Sequence, residues 1–380
     1  MTTTRDFAGA TLSIDLGAIA DNWRRLAAHL GKSTCAGVVK ADAYGLGMTE
    51  VAPVLAHAGC GLFFTATIDE AIAVRAALPG VETGVLYGPG SAEEAAACNA
   101  HRLVPVINHL DQLTLWRDHA KKTGRAGAAM LHIDTGMARL GMPAAEVDHL
   151  TAHPDLLDGC RITRVLSHLA CADQPGDLLN ETQRQRFEDA RTLLTPVVGT
   201  DVTWSLANSS GIFLGAPWHF GLARSGAALY GINPTPGGPN PMRPVVQLRG
   251  KILQVQHVDS PQTVGYGAAH VVTGPARVAT VAVGYADGYL RSGSGRAHAC
   301  LGEFRVPIIG RVSMDMITLD ITSVPDDVAR PGVQVDLIGD HYPVDSLAAD
   351  AGTIGYEVLT SLGNRYQRTY INSPLAAAAS

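Results

Sequence analysis

The sequence lacks the closely spaced cysteines that mark disulfide frameworks and zinc sites. Its six cysteines are scattered along 380 residues, and no two of them form a Cys-x-x-Cys pair. Frameworks of either kind usually show such spacing. We therefore expect small buried thiols, no bound metal and a reducing compartment, and we predict that the protein is cytoplasmic.

The chain also lacks long apolar segments and an excess of positive charge. No uninterrupted apolar run approaches the roughly 18 residues needed to span a bilayer, and residues 1–10 do not resemble a secretory signal. The net charge of −6 argues against nucleic acid or a membrane as partner. With 46% hydrophobic and 17% charged residues, the composition is that of a globular protein with room for two domains.

Strand-like apolar runs alternate with helix-like segments between residues 37 and 226. Segments such as 67–78 and 179–194 have helical spacing. The eight apolar runs are 37–40, 62–67, 84–87, 103–108, 129–134, 164–170, 203–209 and 221–226. Eight consecutive strand–helix units predict an α/β fold with an N-terminal (β/α)8 TIM barrel. An open sheet is the alternative, because periodicity alone does not show closure.

A linker rich in proline and glycine follows at residues 233–244. Beyond it, short alternating runs predict a C-terminal, mostly antiparallel β domain. These runs are 246–258, 276–283, 304–309, 313–321 and 333–338, followed by two helix-like segments at 344–351 and 354–362. We place the barrel domain at residues 1–240 and the β domain at 241–380. Residues 9–15 are a candidate strand of the β domain, and residues 375–380 are expected to fray.

Lys40 closes the first apolar run and is followed at once by a turn of small residues that includes Gly45. Burying an unpaired ammonium is costly, so we expect this lysine at a strand end that faces a cavity. A desolvated amine there can form a Schiff base with an aldehyde. The alternative is a solvated lysine at a strand exit.

Later runs also end in polar residues, where barrel enzymes place their reactive groups. Arg139 follows the fifth run, and His168 lies in the sixth. Asn208, Ser209 and Arg224 lie in the seventh and eighth, whose following loops are the habitual phosphate site of such barrels. Taken singly, each residue has a structural alternative: a packed histidine, an ion-paired arginine or a helix cap.

Together and in order, these segments resemble the alanine racemase family. The barrel segments are VKADAYG at 39–45, DTGMARLG at 134–141, SHLACAD at 167–173, ANS at 207–209 and RSGAALYG at 224–231. The β-domain segments are VGYG at 264–267, GYADG at 284–288, GRVSMD at 310–315 and TIGYE at 353–357. The resemblance spans residues 10–371.

The resemblance implies an enzyme of fold type III that interconverts L-alanine and D-alanine with pyridoxal 5′-phosphate (PLP). Lys40 would hold PLP as a Schiff base and act as the base on the D side, and Tyr266 would be the base on the L side. A free tyrosine has a pKa of about 10, so a cation must favour its phenolate. The family places the equivalents of His168 and Arg224 in a hydrogen-bonded line from this tyrosine to the pyridine nitrogen.

Further roles follow from the same resemblance. Arg139 and the Met314 amide would receive the substrate carboxylate, beside Tyr266. The access passage would include Tyr285, Arg291 and Arg311, with His132 and Asp315 in the surrounding layer. The implied cofactor-binding residues are Lys40, Tyr44, Arg139, His168, Asn208, Ser209, Arg224, Gly226, Ala227 and Tyr356.

The sequence departs from the family pattern at His132. Many relatives have a lysine here, carbamylated to orient the arginine seven residues on. A histidine cannot form that carbamate, so we expect Arg139 to be held by a bound inorganic anion or by another acid. Leu46 and Ser225, which replace a histidine and a proline common in the family, are expected to leave the chemistry unchanged.

Family members are head-to-tail homodimers, so the resemblance implies that Lys40 and Tyr266 of one site come from different chains. The reaction would supply D-alanine for peptidoglycan or serve alanine catabolism. The alternatives are a broad-specificity or serine racemase, a PLP decarboxylase of this fold type and a non-catalytic PLP-binding barrel. The decarboxylase would need a catalytic cysteine and a glycine-rich phosphate loop, which are not evident. The β domain argues against the lone barrel.

Overall fold

Two eight-stranded sheets organise the chain in the computed structural model, which describes residues 7–124, 127–259 and 261–375. The strands are β1 (Ala10–Asp15), β2 (Thr34–Val38), β3 (Leu62–Thr65), β4 (Glu82–Val85), β5 (Val104–Ile107), β6 (Gly127–His132), β7 (Cys160–Leu166), β8 (Thr203–Ser205), β9 (Leu222–Ser225), β10 (Val246–Val258), β11 (Gln262–Val264), β12 (His270–Val272), β13 (Ala276–Val281), β14 (His298–Leu301), β15 (Phe304–Ile309), β16 (Ile317–Asp320), β17 (Gln334–Ile338) and β18 (Gln367–Ile371). The helical segments are α1 (Leu16–Leu30), α2 (Lys40–Gly45), α3 (Met48–Ala58), α4 (Ile68–Ala77), α5 (Ala92–Ala100), α6 (Leu110–Thr123), α7 (Ala144–Ala152), α8 (Leu178–Val198), α9 (Ala216–His219), α10 (Val344–Ala351) and α11 (Gly355–Ser361).

The first sheet is parallel and closes into a barrel. Its order is β8-β7-β6-β5-β4-β3-β2-β9, so sequential strands are neighbours. Backbone bonds from Gly221 N to Trp204 O (3.0 Å) and from Arg224 N to Ala207 O (2.9 Å) connect the two ends of the sheet. The predicted TIM barrel is therefore confirmed over the open-sheet alternative.

The barrel strands end earlier than several predicted runs. The runs at 164–170 and 203–209 continue past β7 and β8, which stop at Leu166 and Ser205. Leu169 and Ala207 remain fully buried beyond those ends. Apolar packing thus continues beyond the regular strands, although Ala207 still accepts a backbone hydrogen bond from Arg224 of β9. Likewise β2 runs from Thr34 to Val38, which leaves Lys40 outside the strand.

The second sheet has the order β13-β16-β15-β14-β17-β10-β1-β18 and is mostly antiparallel. Strand β10 spans 13 residues and pairs with β1 and β17 through its first half. Its second half pairs with β13, and the register of that pairing shifts between Ile252 and Gln254. The N-terminal strand β1 lies in this sheet, antiparallel to β10 and parallel to β18. The predicted β architecture is confirmed. The domain boundary at residue 240 stays a prediction.

Helix α11 belongs to the C-terminal part of the chain but packs against the turn that follows β2. A Cβ built on Gly45, whose φ is +81°, would lie 2.6 Å from the carbonyl oxygen of Leu359. Only glycine permits this approach and this φ together. The contact brings Tyr356 of α11 to the mouth of the barrel.

No described helix is long and apolar enough to cross a membrane. The predicted fraying of residues 376–380 falls outside the described residues.

Candidate active site

One cavity of about 690 Å³ opens at the C-terminal ends of the barrel strands. It is lined by eleven of the residues singled out in the sequence: Lys40, Tyr44, His132, Arg139, His168, Asn208, Ser209, Arg224, Gly226, Ala227 and Tyr356. A larger cleft of about 1400 Å³ lies at the opposite end of the barrel, beside Glu82 and Asp201, and contains none of them. In TIM barrels the C-terminal face carries the chemistry, so the smaller cavity is the candidate active site.

The backbone after Lys40 makes a left-handed helical turn. Residues 41–44 of α2 all have φ between 53° and 57°, although none is glycine. This conformation costs an L-residue roughly 1–2 kcal/mol, so surrounding contacts must hold it. Asp42 Oδ1 accepts from Met48 N (2.7 Å), and Glu70 Oε1 accepts from Ala41 N (2.6 Å). The turn places Lys40 and Tyr44 in the same cavity.

The environment of Lys40 favours its neutral amine. Burial lowers its pKa, the positive charge of Arg139 adds to that effect, and the negative charge of Glu70 partly opposes it. A neutral amine is the nucleophile that attacks an aldehyde and the form that accepts a proton.

Tyr44 is confined between an aromatic neighbour and a glycine. Its ring stacks on Tyr230 with 4.7 Å between centroids, and Tyr356 lies 6.1 Å away. A Cβ on Gly226 would lie 2.4 Å from the Tyr44 hydroxyl oxygen. Burial raises the pKa of Tyr44, so its hydroxyl stays protonated and can donate a hydrogen bond.

Ser209 faces the same corner of the cavity. Its Oγ accepts from Gly226 N (2.9 Å) and Ala228 N (3.3 Å), which leaves its own hydroxyl proton to donate. Ala227 begins a short 3-10 turn, whose first amides have no partner within the turn. Asn208 lines the cavity and also holds the following turn, because its Oδ1 accepts from Gly211 N at 2.9 Å. Neutral hydroxyl and amide donors of this kind suit a phosphate dianion.

Arg224 is buried on β9 and fixes the state of His168. The guanidinium donates to the carbonyl oxygens of Ser205 (3.1 Å) and Ser167, and its Nη2 donates to His168 Nδ1 at 3.3 Å. Burial, and then the charge of Arg224, hold the pKa of His168 well below its usual value. His168 is therefore neutral with its proton on Nε2. Burial lowers the pKa of Arg224 to about 10, so it remains charged at neutral pH.

His132, at the end of β6, is fixed by Asn108. The Asn108 amide nitrogen shares its two protons among the carbonyl oxygens of Leu86 (3.0 Å), Val106 (3.1 Å) and Tyr87 (3.2 Å). Its Oδ1 must therefore be the atom that accepts from His132 Nδ1 at 2.8 Å. His132 Nε2 is then a hydrogen-bond acceptor. Burial, and then the charge of Arg224, lower the pKa of His132 to about 3, so the ring is neutral at physiological pH.

Arg139 has no salt bridge to an acidic side chain within the described ranges. The structure of the single chain thus shows no acidic partner for Arg139 among the residues it describes, and the version with another acid stays a prediction. The version with a bound inorganic anion stays a prediction. The residues that line the cavity beside Arg139 include neutral His132.

The geometry on the barrel face agrees with comparisons to known proteins. Residues 14–234 match the alanine racemase N-terminal domain, and residues 245–370 match the alanine racemase C-terminal domain. The chain belongs to the alanine racemase family. The sequence resemblance and the fold predicted from it are confirmed.

Several relatives are similar over nearly their whole length. An alanine racemase from Rhodospirillum rubrum is 48% identical over 367 residues, 96% of this chain and 96% of the relative. A catabolic alanine racemase from Mesorhizobium japonicum is 49% identical over 367 residues, 96% of this chain and 94% of the relative. The crystal structure of alanine racemase from Bartonella henselae, with covalently bound PLP, has a TM-score of 0.91 and 37% identity, and covers 96% of this chain and 100% of that one.

The alanine racemase cavity of this chain has the chemistry that PLP requires. It presents an amine of lowered pKa, a protonated tyrosine, a serine hydroxyl and a charged buried arginine to one space. Glycine at residue 226 lets the Tyr44 hydroxyl approach the backbone closely, because a Cβ there would lie 2.4 Å from the hydroxyl oxygen. PLP is thus the cofactor that these residues fit, with the amine for its aldehyde and the neutral donors for its phosphate.

The predicted β-domain residues do not line this cavity: Tyr266, Tyr285, Arg291, Arg311, Met314 and Asp315. Tyr266 lies on a short turn between β11 and β12 and is 72% exposed, and Met314 is 53% exposed. Arg311 lies against Gly267, where a Cβ would meet its guanidinium at 3.1 Å. Asp315 is paired with Arg365 at 2.8 Å.

Sequence reasoning missed three residues that support the site: Glu70, Asn108 and Tyr230. Glu70 had a detectable signal, because Thr67 and Glu70 form the spacing of a capping box before a helix. Asn108 ends a predicted strand run, the same signal that pointed to Asn208. Tyr230 lies in the segment RSGAALYG that resembles the family, but a tyrosine in an apolar segment usually belongs to the core, so it was not singled out.

Proposed function

We propose that this protein interconverts L-alanine and D-alanine with PLP and two bases. The observation that carries the proposal is the position of Lys40, whose pKa is lowered, in a cavity with donors for a phosphate. Membership of the alanine racemase family supports this chemistry over that of a decarboxylase or a non-catalytic PLP-binding protein. The names of the relatives favour alanine over serine or a broad range of substrates.

Cofactor binding is assigned to the barrel face. Lys40 would hold PLP covalently. Tyr44, Ser209, Tyr356 and the Ala227 amide would bind its phosphate beside Gly226, whose own amide donates to Ser209. Arg224 would face the pyridine nitrogen, with Asn208 and His168 nearby, and Arg139 would interact with the phenolic oxygen. When bound, PLP supplies the electron sink that makes the α-proton of an amino acid acidic.

Lys40 is the base on the D side of the substrate. Its burial favours the uncharged amine that a proton acceptor must be. Arg139 and the Met314 amide bind the carboxylate and so orient the α-proton. Neutral His132 offers Nε2 as an acceptor without adding negative charge beside the carboxylate.

Tyr266 is the base on the L side and reaches the site from a second subunit. The exposure of Tyr266 and Met314 in the single chain supports a head-to-tail homodimer in which each β domain covers the partner's barrel mouth. His168 carries its proton on Nε2, so it can donate to the phenolate oxygen of Tyr266 of the partner subunit. Charged Arg224 polarises that bond from the other side of the ring.

Tyr285, Arg291 and Arg311 line the passage through which alanine enters, with Asp315 in the surrounding layer. We propose a cytoplasmic dimer without nucleic acid or membrane partners, and the net charge of −6 argues against nucleic acid as a partner. The product would supply D-alanine for peptidoglycan or would serve alanine catabolism. Relatives of both kinds exist, since catabolic enzymes and the biosynthetic enzyme from Pseudomonas aeruginosa are similar to this chain.

The test is to incubate the purified holoenzyme with L-alanine in D2O and to follow chirality and α-deuteration together. We expect D-alanine to appear with deuterium at Cα, because each inversion removes the α-proton and returns one from a base. L-Serine serves as the competing substrate and is expected to react far more slowly. Deuteration without inversion would contradict the two-base assignment, and release of CO2 would indicate the decarboxylase.

A further inference from the structure

Glu70 connects the Lys40 turn to the end of the neighbouring barrel strand. Its Oε1 accepts from Ala41 N at 2.6 Å, the amide that directly follows Lys40. Its Oε2 accepts from Ala66 N (2.9 Å) and Thr67 N (3.2 Å), which follow β3. One half-buried carboxylate therefore bridges the C-terminal ends of β2 and β3 with hydrogen bonds to three backbone amides.

The Lys40 turn needs such a contact at its start. Later parts of the turn are held elsewhere: Asp42 Oδ1 accepts from Met48 N, and Arg368 donates to Gly45 O at 2.7 Å. Ala41 begins the left-handed stretch, at φ 53°. Its amide donates to the Glu70 side chain. Strain in this stretch is relieved if the turn rotates, and rotation would redirect Lys40.

We propose that Glu70 is a positioning residue that fixes the backbone of the Lys40 turn and so sets the direction of the lysine amine. Only the expected change in racemisation kinetics rests on the proposed function. Both carboxylate oxygens accept, so the position requires an acceptor at each. A glutamine would turn its NH2 group toward an N–H donor on one side or the other.

The chain contains a matched control in the next helix. Glu94 occupies the same third position of α5 that Glu70 occupies in α4, and both helices begin at a hydroxyl N-cap, Ser91 and Thr67. The Glu94 side chain accepts from Gly90 N within its own loop. It has no contact with the Lys40 turn, so Glu94→Gln removes a comparable cap without disturbing the site.

The decisive measurement is hydrogen–deuterium exchange of the amides of residues 41–45 in the holoenzyme. We expect Glu70→Gln to accelerate exchange there by about tenfold or more, because the turn opens more often. Glu94→Gln should leave these amides unchanged. In racemisation assays, Glu70→Gln should lower kcat by about tenfold with a much smaller change in the KM for L-alanine, because the base is misplaced while the carboxylate site is intact.

Glu70→Asp separates geometry from charge and serves as the second variant should Glu70→Gln fail to fold. It keeps the charge but is one methylene shorter, so we expect exchange as fast as in Glu70→Gln. If the amides of residues 41–45 in Glu70→Asp exchange as slowly as in the wild type, the bridging role is overturned and a charge effect is indicated instead. Unchanged exchange and kcat in Glu70→Gln would also overturn it. A wild-type enzyme without racemase activity would refute the proposed function but leave the exchange comparison valid.

Discussion

The barrel and the β domain present their site residues in opposite ways. Arg224 is 4% exposed and donates to two backbone carbonyls and a histidine, whereas Tyr266 is 72% exposed on the tip of a two-stranded hairpin. Contiguous exposed apolar side chains often mark the surface where a protein meets a partner. One half of the proposed site is thus complete within the chain, and the other half has the exposure of an interface.

The largest effect is expected when the two proposed bases, Lys40 and Tyr266, are removed from different chains. We expect Lys40→Ala and Tyr266→Phe to be nearly inactive alone, because each removes one base from every site. Unfolding and refolding the two variants together should restore up to about a quarter of wild-type activity, since half of the random dimers are mixed and each has one intact site. The measurement is specific activity after mixing, with native mass spectrometry to count mixed dimers.

The control is refolding of each variant with itself, which should stay inactive. Mixed dimers without activity would show that Lys40 and Tyr266 must come from one chain.

A smaller effect is expected from Gly226→Ala, which acts on the barrel half alone. The new Cβ would lie 2.4 Å from the Tyr44 hydroxyl oxygen. The Tyr44 side chain must therefore move away from the part of the cavity that is proposed to hold the phosphate. Losing one charge-assisted hydrogen bond should weaken PLP binding by about tenfold or more. Equilibrium titration of the apoenzyme with PLP measures the change.

Gly61→Ala is the matched control, because its Cβ would meet nothing within 4 Å. It should bind PLP as the wild type does. Equal affinity in Gly226→Ala would show that Tyr44 does not contact the phosphate.

A further prediction, on stability rather than on activity, concerns pH and the ring of His132. Its pKa falls to about 3 in the folded chain but is about 6.5 when unfolded. Between these values the unfolded state binds a proton that the native state does not, so stability decreases as pH falls. Lowering the pH from about 7.5 to about 5 should reduce the free energy of unfolding less in His132→Gln than in the wild type. We expect the two reductions to differ by up to about 2 kcal/mol.

Urea denaturation at the two pH values measures this difference, with exposed His57→Gln as control. A loss in His132→Gln equal to that of the wild type would mean that His132 is protonated in the folded state.

The sequence was most informative where a local pattern meets a general rule of folding. Alternation of strand-like and helix-like segments predicted the barrel, and β10 matches the predicted run 246–258 at both ends. Strand ends were predicted less well, because Leu169 and Ala207 remain in the core after their strands stop. Apolar content reports burial, whereas a strand boundary depends on which backbone amides find partners on the next strand.

Motifs in the chain determined which residue types face the site: an amine after the first barrel strand, an arginine in the eighth and hydroxyls between. Only the tertiary structure decided their chemical states, including the left-handed turn after Lys40, the neutral tautomers of His132 and His168, and the link from Glu70 to Ala41. These states depend on burial and on hydrogen bonds between residues far apart in the chain: 56 positions separate His168 from Arg224, and 323 separate Gly45 from Arg368. The sequence identifies each functional group. The protonation state and orientation of that group are set by neighbours that only folding brings within about 3 Å.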